Sequence, residues 1–323
     1  MAAPAGTFKT YEAIGNREDL ANMIYDISPT ETPLMSNIAR GKASNTKPEW
    51  QTDVLATAVS TNAVIEGDDA TTNSAVPTVR LANICQISDK VPRVSGTQDA
   101  MDSAGRRNEM SYQIAKRGKE LKRDIETTLC SLTAADEASA LTARAASGLG
   151  PFMWSNLKKL GVGTTATIVT VTSGAPTTDV TAGTASAFSE QNLKDVIADI
   201  WTLGGDPNMV LAAAFNKQRI SAFSGIATQY RDNPQAGPAT IIGAADVYVS
   251  DFGTVNIVPS RFTPTTAVYV LDTSTLETKY LRPIQMKTLA KTGDSDRRQI
   301  LAEYTLCVKS PGANGVATTT TTS

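Results

Sequence analysis

The chain has 323 residues, of which 41% are hydrophobic and only 6% aromatic, which predicts about two domains that pack closely through small side chains. Its 30 Lys and Arg balance 32 Asp and Glu, so the net charge of -2 argues against a dedicated nucleic-acid binder with a global basic field. The sequence contains no histidine, which removes the commonest general base and metal ligand. Histidine-dependent hydrolases and most zinc sites are therefore excluded.

The cysteines, the first residues and the longest apolar run indicate the cellular compartment in which the protein is made. Cys85, Cys130 and Cys307 lie far apart among apolar neighbours and show no CxxC spacing, which predicts reduced core thiols in a protein made in a cytosol. The first residues lack the pattern of a signal peptide, and the longest apolar run, Met209 to Phe215, is far short of the ~20 residues that cross a bilayer. We therefore expect a soluble protein without membrane contact.

The first 92 residues predict an arm and a long loop. The helix-sized stretch NREDLANMIYDIS is followed by Pro29 and Pro33, which favour extended backbone and stop helix growth. From Trp50 to Val91, short Val, Ile and Thr runs flank a polar stretch rich in turn-forming residues. This pattern predicts two long strands that carry a mobile acidic tip.

Two helices give the clearest periodic signals. Apolar residues recur at spacings of three, four and seven from about Arg106 to Leu132, and the other face of this predicted helix is heavily charged. A Gly/Thr-rich stretch from Gly161 to Ala187 predicts an insertion or hairpin. The second helix starts after Ser189, a suitable N-cap, and ends at Gly204-Gly205; its apolar face comprises Leu193, Val196, Ile197 and Ile200.

The last third of the chain predicts a mixed sheet. Short strand patterns run through DVYVSDFGTVNIVPS, AVYVLD and TKYLRPIQMKTLA. QILAEYTLCVKS alternates cleanly, and the turn-rich KTGDSDRR before it predicts a hairpin with IQMKTLA. The final GVATTTTTS offers little to bury and predicts a disordered tail.

The order of these elements, together with the segment TYEAIGNREDLANMIYDISPTETPLMSNI, resembles the major head proteins of tailed bacteriophages that have the Hong Kong 97-like fold. The resemblance implies an α+β protein with an extended β-hairpin loop, a long spine helix, and an axial domain of helices and mixed sheet. Its implied divisions are an N-terminal arm (1–48), an extended loop (49–92), a peripheral domain with the spine helix and the Gly/Thr-rich insertion (93–187), an axial domain (188–283), returning peripheral-domain strands (284–312) and a disordered tail (313–323).

The same resemblance implies a structural role. Such subunits assemble as hexamers and pentamers into an icosahedral virion shell around double-stranded DNA, after synthesis in the host cytoplasm. The implied partners are copies of the chain itself, a portal, scaffold or decoration proteins, and packaged DNA through weak non-specific contact. Nothing in the sequence places a nucleophile beside a base, so we expect neither enzymatic activity nor a cofactor.

Charge patterning supplies the candidate contact residues. The loop tip carries Glu66, Asp68 and Asp69 without a basic residue, and the long helix has a surplus of positive charge. The loop of this fold lies across the next subunit, which suggests that the acidic tip sits on a neighbour's helix. Two alternatives remain: both faces are only solvated, or the helix, with Lys158 and Lys159, faces packaged DNA. The basic candidates on the helix are Lys116, Arg117, Lys119, Lys122 and Arg123.

Two other readings compete with a virion shell. An encapsulin-type compartment would use the same fold for a different purpose. A secreted surface or adhesion protein would explain the Thr/Ala/Gly-rich strand regions, but the sequence shows no signal peptide and no fixed-period repeat, and a long charged helix suits such a protein poorly.

Overall fold

A computed structural model describes residues 28–69, 75–101, 108–160, 171, 173–181, 186–223 and 246–318. The helices are α1 (Pro33–Asn37), α2 (Gly96–Ala100), α3 (Glu109–Leu129), α4 (Glu190–Thr202) and α5 (Ala214–Ser221). The strands are β1 (Ala39–Lys42), β2 (Glu49–Thr52), β3 (Val79–Ala82), β4 (Gln86–Lys90), β5 (Arg93–Ser95), β6 (Leu157–Lys159), β7 (Met209–Ala212), β8 (Val247–Ser250), β9 (Gly253–Pro259), β10 (Ala267–Leu271), β11 (Leu276–Thr288), β12 (Ser295–Val308) and β13 (Gly315–Thr318).

A long antiparallel hairpin of β11 and β12 organises the first sheet, whose order is β1-β11-β12-β4, with β5 pairing the start of β12. β1 runs parallel to β11. The hairpin turn contains Gly293 at φ +80°, a left-handed conformation that glycine adopts without steric cost. The pairing of IQMKTLA with QILAEYTLCVKS is thus as the turn residues predict. β11 begins at Leu276, so this strand spans the expected boundary between 283 and 284.

Both faces of β12 are buried. One face contributes Ile300, Ala302, Tyr304, Leu306 and Val308 to the core that also contains the spine helix, as the alternation predicts. The residues of the other face, Leu301, Glu303, Thr305 and Cys307, are also buried. At the end of the strand, the Trp50 indole donates to the carbonyl of Val308 at 2.9 Å, and the Asn83 side-chain amide donates to that of Leu306 at 2.8 Å.

The spine helix α3 begins after Asn108, whose side chain accepts a hydrogen bond from the backbone N–H of Ser111 at 2.7 Å. The helix ends at Leu129, three residues before the expected end at Leu132. A returning segment pairs with the carbonyl groups at and just after the end of the helix. The N–H of Leu149 donates to the carbonyl of Leu129 at 2.9 Å, and that of Gly150 donates to the carbonyl of Ser131 at 3.2 Å. The expected start at Arg106 lies outside the described residues.

The second sheet is mixed, with the order β6-β13-β10-β7-β9-β8. β6 and β13 run parallel, as do β7 and β9, and the other pairs are antiparallel. α4 packs on one face through Leu193, Val196, Ile197 and Ile200, all buried as predicted. Ser189 caps α4 by accepting the N–H of Asn192 at 3.3 Å, and Gly204 follows the helix at φ +83°. The other face joins the core of α3 and the first sheet.

The predicted disordered tail at 313–323 is wrong for its described part. Residues Gly315–Thr318 form β13, which lies between β6 and β10 in the second sheet. Val316 faces the core beneath α3 and Ala317 faces the core beneath α4, so both sides of the strand are buried. Residues 319–323 lie outside the described part of the chain.

The predicted long strands of the loop are also wrong. β2 and β3 pair over only four residues each, and the described residues 53–69 and 75–78 contain no strand. The apolar residues there find no core to pack on among the described residues, so they do not extend the hairpin. Residues 1–27 of the arm and most of the Gly/Thr-rich insertion lie outside the described residues. The described part of the arm is not extended throughout, because it contains α1. Pro33 lies in the first turn of that helix, where proline is tolerated.

Candidate interaction surfaces

The loop between β2 and β3 leaves large apolar side chains in solvent. Leu55 is 94% exposed and Val54 is 88% exposed. Soluble proteins seldom expose a run of such residues unless another molecule covers them. The exposed apolar side chains of this loop are Val54, Leu55, Val59, Val64, Ile65 and Val76.

The acidic tip of the loop is a turn. The N–H of Asp68 donates to the carbonyl of Ile65 at 3.1 Å, Gly67 has φ +87°, and the N–H of Asp69 donates to the Asp68 side chain at 2.9 Å. Glu66, Asp68 and Asp69 are all exposed. In the described part of the chain, none of these carboxylates forms an ion pair.

The basic residues of α3 divide into two groups. Arg117 forms an ion pair with Glu120 of the same helix at 2.6 Å, and the Arg123 guanidinium lies over the Phe262 ring at 5.6 Å from its centroid. The exposed lysines are Lys116, Lys119 and Lys122. No hydrogen bond or ion pair among the described residues joins α3 to the acidic tip of the same chain.

Other charges singled out in the sequence already have partners. Lys158, a candidate for DNA contact, pairs with Asp195 at 2.7 Å. Asp296 pairs with Lys291 at 3.0 Å. Within the described ranges, no group of three or more Asp, Glu, Cys or His side chains is arranged to hold a metal ion. Nor does any described helix combine the length and apolarity needed to span a bilayer.

The buried carboxylate of Glu126 joins the arm to the spine helix. The charge of Glu126 suggests the exposed charged face of the helix, but its side chain is buried. Glu126 accepts the backbone N–H groups of Leu34 at 2.7 Å and Met35 at 2.9 Å, which lie in the first turn of α1. Burial raises the pKa of Glu126, and the two N–H donors oppose that shift. Its position three residues before the apolar Leu129 was the available signal for burial.

A second buried carboxylate ties the segment that follows the spine helix to the β11–β12 hairpin. Glu303 on β12 accepts hydrogen bonds from Arg144 and Arg282, each at 2.7 Å, and is only 3% exposed. Arg144 belongs to the segment that covers the outer face of β12. Because Arg282 lies on β11, the same buried carboxylate holds both the Arg144 segment and the neighbouring strand.

Comparison with known proteins gives one family. The family model described as SU10 major capsid protein matches residues 4–321. The major capsid protein of Escherichia phage Phieco32 is 28% identical over 350 residues, which cover 98% of this chain and 97% of that protein.

Solved structures share the fold. The capsid protein of cyanophage A-1(L) superposes with a TM-score of 0.66 at 12% identity, covering 98% of this chain and 99% of that one. The SrpI encapsulin of Synechococcus elongatus superposes with a TM-score of 0.55 at 12% identity, covering 95% and 93%. These similarities confirm the expected Hong Kong 97-like α+β fold.

Proposed function

Since the chain belongs to the SU10 major capsid protein family, we propose that its copies assemble as hexamers and pentamers into the icosahedral head of a tailed phage, around double-stranded DNA. Assembly takes place in the host cytoplasm, with a portal and with scaffold or decoration proteins as further partners. The subunit acts by self-association and does no chemistry. The encapsulin reading has less support, because a likeness at 12% identity concerns the fold alone.

The exposed apolar loop is the observation that carries this proposal. Its six large side chains are between 66% and 94% exposed in the single chain, so most of their favourable transfer out of water remains available to an assembly. Burying one such side chain contributes roughly 1.5–3 kcal/mol. Many copies of this contact summed around a closed shell would hold it together without any single strong bond.

Charge would set the register of the same contact. The acidic tip of one copy would lie against Lys116, Lys119 and Lys122 of the next, which face solvent on the spine helix. Electrostatic complementarity of this kind mainly steers and orients partners, and apolar burial supplies most of the affinity. Weak contact with packaged DNA would fall to basic residues that remain uncovered.

The test is electron microscopy of the chain expressed alone, with absorbance at 260 nm recorded on any particles. The unchanged chain should give closed shells, or rings of five and six. A variant with Val54→Ser and Leu55→Ser should remain a folded subunit and lose the particles, because it removes apolar area that only a neighbour covers. A matched control is Leu141→Ser, which changes an equally exposed leucine, 97% exposed, outside the loop. Normal particles from the loop variant would contradict the role of the loop, and a stable monomer from the unchanged chain would contradict the function.

A further inference from the structure

Residues 173–181, which we call the strap, connect two parts of the chain that are distant in sequence. They belong to the Gly/Thr-rich stretch that the sequence predicts as an insertion, and they contain no helix and no regular strand. One end of the strap contacts β3 at the base of the extended loop. The other end contacts residues 132–135, which follow the spine helix. The inserted residues therefore join the loop to the end of the spine helix.

The first end of the strap adds a third neighbour to the β2–β3 pair. The N–H of Gly174 donates to the carbonyl of Arg80 at 2.8 Å, and the N–H of Ala82 donates to the carbonyl of Gly174 at 2.9 Å. These two bonds form a parallel bridge, so β3 has a hydrogen-bonded neighbour on both of its edges. Gly174 has φ +81°, a left-handed conformation in which a β-branched side chain would be strained even though the space around it is open.

The other end of the strap is held by hydrogen bonds and by burial. The N–H of Ala135 donates to the carbonyl of Pro176 at 2.9 Å, and the N–H of Ala134 donates to the side chain of Asp179 at 2.7 Å. Pro176 and Val180 are buried, whereas Asp179 is exposed. This end is therefore packed against the body of the subunit and does not move with the loop.

The strap restrains the loop at a place that its other anchors do not reach. Trp50 and Asn83 hold the base of the β2–β3 pair through hydrogen bonds to the end of β12 and, for Asn83, to Ser147. Each of the two strands has only four residues, and a short two-stranded pair is marginally stable by itself. Such a pair, held at its base alone, can swing. Because the strap bonds to Arg80 and Ala82 along the edge of β3, it opposes this swing.

We infer that the strap is a positioning element that fixes the direction in which the extended loop leaves the subunit, with Gly174 and Asp179 as its positioning residues. This inference rests on the proposed shell function, in which the loop contacts a neighbouring copy. A closed shell repeats its contacts many times, so a loop that left each subunit at a different angle would give particles of mixed size.

The direct test is the distance between the loop and the body in dilute subunits that have not assembled. Spin labels on Asp53→Cys, which follows β2, and on Lys116→Cys of the spine helix would report this distance by pulsed electron spin resonance. Both positions are exposed, and the native cysteines are buried. The distance distribution should be narrow with the native strap. Gly174→Val should release the strap from β3 and widen the distribution about twofold or more.

Gly204→Val is the matched control for backbone strain. Gly204 has φ +83° and open space around it, but it lies after α4 and outside the strap. This control should lower the unfolding temperature about as much as Gly174→Val and should leave the distance distribution narrow. Asp179→Ala removes a single hydrogen bond at an exposed position and should widen the distribution less than Gly174→Val. A narrow distribution in both strap variants would overturn the inference.

Electron microscopy of Gly174→Val without labels tests the consequence for assembly. The unchanged chain should give shells of uniform size, and the variant should give particles of mixed size. Uniform shells from the variant would overturn the role of the strap in assembly. If the unchanged chain formed no assemblies, the proposed function would fail, while the spin-label distances would still decide whether the strap positions the loop. The two failures are thereby distinguished.

Discussion

At the scale of single residues, two buried carboxylates hold together parts of the chain that are distant in sequence. Glu126 receives two backbone N–H groups of the arm, and Glu303 receives two arginines. The two carboxylates differ in the cost of removing them, which depends on whether the donors left behind can reach water. Loss of Glu126 leaves buried N–H groups without an acceptor, which is costly, whereas loss of Glu303 leaves arginines that are partly exposed and can reach water.

Glu126→Ala should lower the free energy of unfolding by about 3 kcal/mol, from lost hydrogen bonds and a small cavity. Urea unfolding, at subunit concentrations too low for particles, would measure it. Protection of the Leu34 and Met35 amides from hydrogen exchange should fall in the same variant. Unchanged protection of both amides would show that the carboxylate does not hold the arm.

The stabilising effect of Glu126 should depend on pH. Burial raises its folded pKa above that of the unfolded chain, so the folded state binds this proton more tightly. Its contribution is therefore fully present below the unfolded pKa, about 4.3, and is lost as the pH rises through the folded pKa. Relative to Glu126→Gln, which has no such proton, the unchanged chain should lose stability as the pH is raised from acid to neutral. An opposite slope in paired urea titrations would contradict the raised pKa.

Glu303→Ala should cost about 2 kcal/mol, less than Glu126→Ala, since it breaks two charge-assisted hydrogen bonds but leaves arginines that can reach water. Glu137→Ala is the matched control, because Glu137 forms an exposed ion pair with Lys47 and should cost under about 1 kcal/mol. Equal effects of the two substitutions in thermal unfolding would mean that the buried network adds nothing specific.

At the scale of elements, some helices and strands can be predicted from their own residues, whereas others form only by pairing with distant parts of the chain. The helix after Ser189 follows from its cap, its apolar spacing and Gly204, all of which act within a few residues. β13 does not follow from its local pattern, because GVAT is short and low in complexity. The β10 residues with which it pairs lie 45 or more positions earlier in the sequence. The error on the loop has the opposite cause: strand-forming residues were present, but the described residues offer them no surface to pack on.

Deleting residues 315–323 should abolish cooperative folding of the second sheet, because β13 supplies the backbone partners of both β6 and β10. Deleting only 319–323 leaves β13 intact and should be tolerated. Soluble yield and near-ultraviolet circular dichroism would distinguish the two deletions. A native spectrum from the longer deletion would show that β13 is dispensable.

At the scale of the whole molecule, exposed charges of opposite sign lie on different surfaces. The loop tip and the β8–β9 hairpin carry exposed carboxylates, and the exposed lysines of α3 lie elsewhere. A net charge of -2 conceals this separation. Sequence reasoning identified the acidic tip and the basic helix as candidates. It did not identify the apolar side chains beside the tip, because exposure depends on the absence of a packing partner, which no local pattern reports.

Asp68→Lys with Asp69→Lys should slow or weaken assembly at low salt if the tip meets a neighbour's lysines. The defect should shrink as ionic strength rises, because the Debye length falls to about 8 Å at physiological salt. Light scattering at several salt concentrations would follow it. The companion change Lys119→Glu with Lys122→Glu should partly restore assembly. Indifference of the first variant at low salt would remove the charge hypothesis and leave the apolar role of the loop intact.

The position of β13 also has a consequence in time. It is the last of the described strands to be translated, and β6 pairs with no other strand in the described chain. A growing chain therefore cannot complete its second sheet until β13 has left the ribosome. A nascent subunit would therefore not present a finished second sheet to its neighbours. Translation would thus separate folding from assembly in order, and incomplete chains would be left out of the shell.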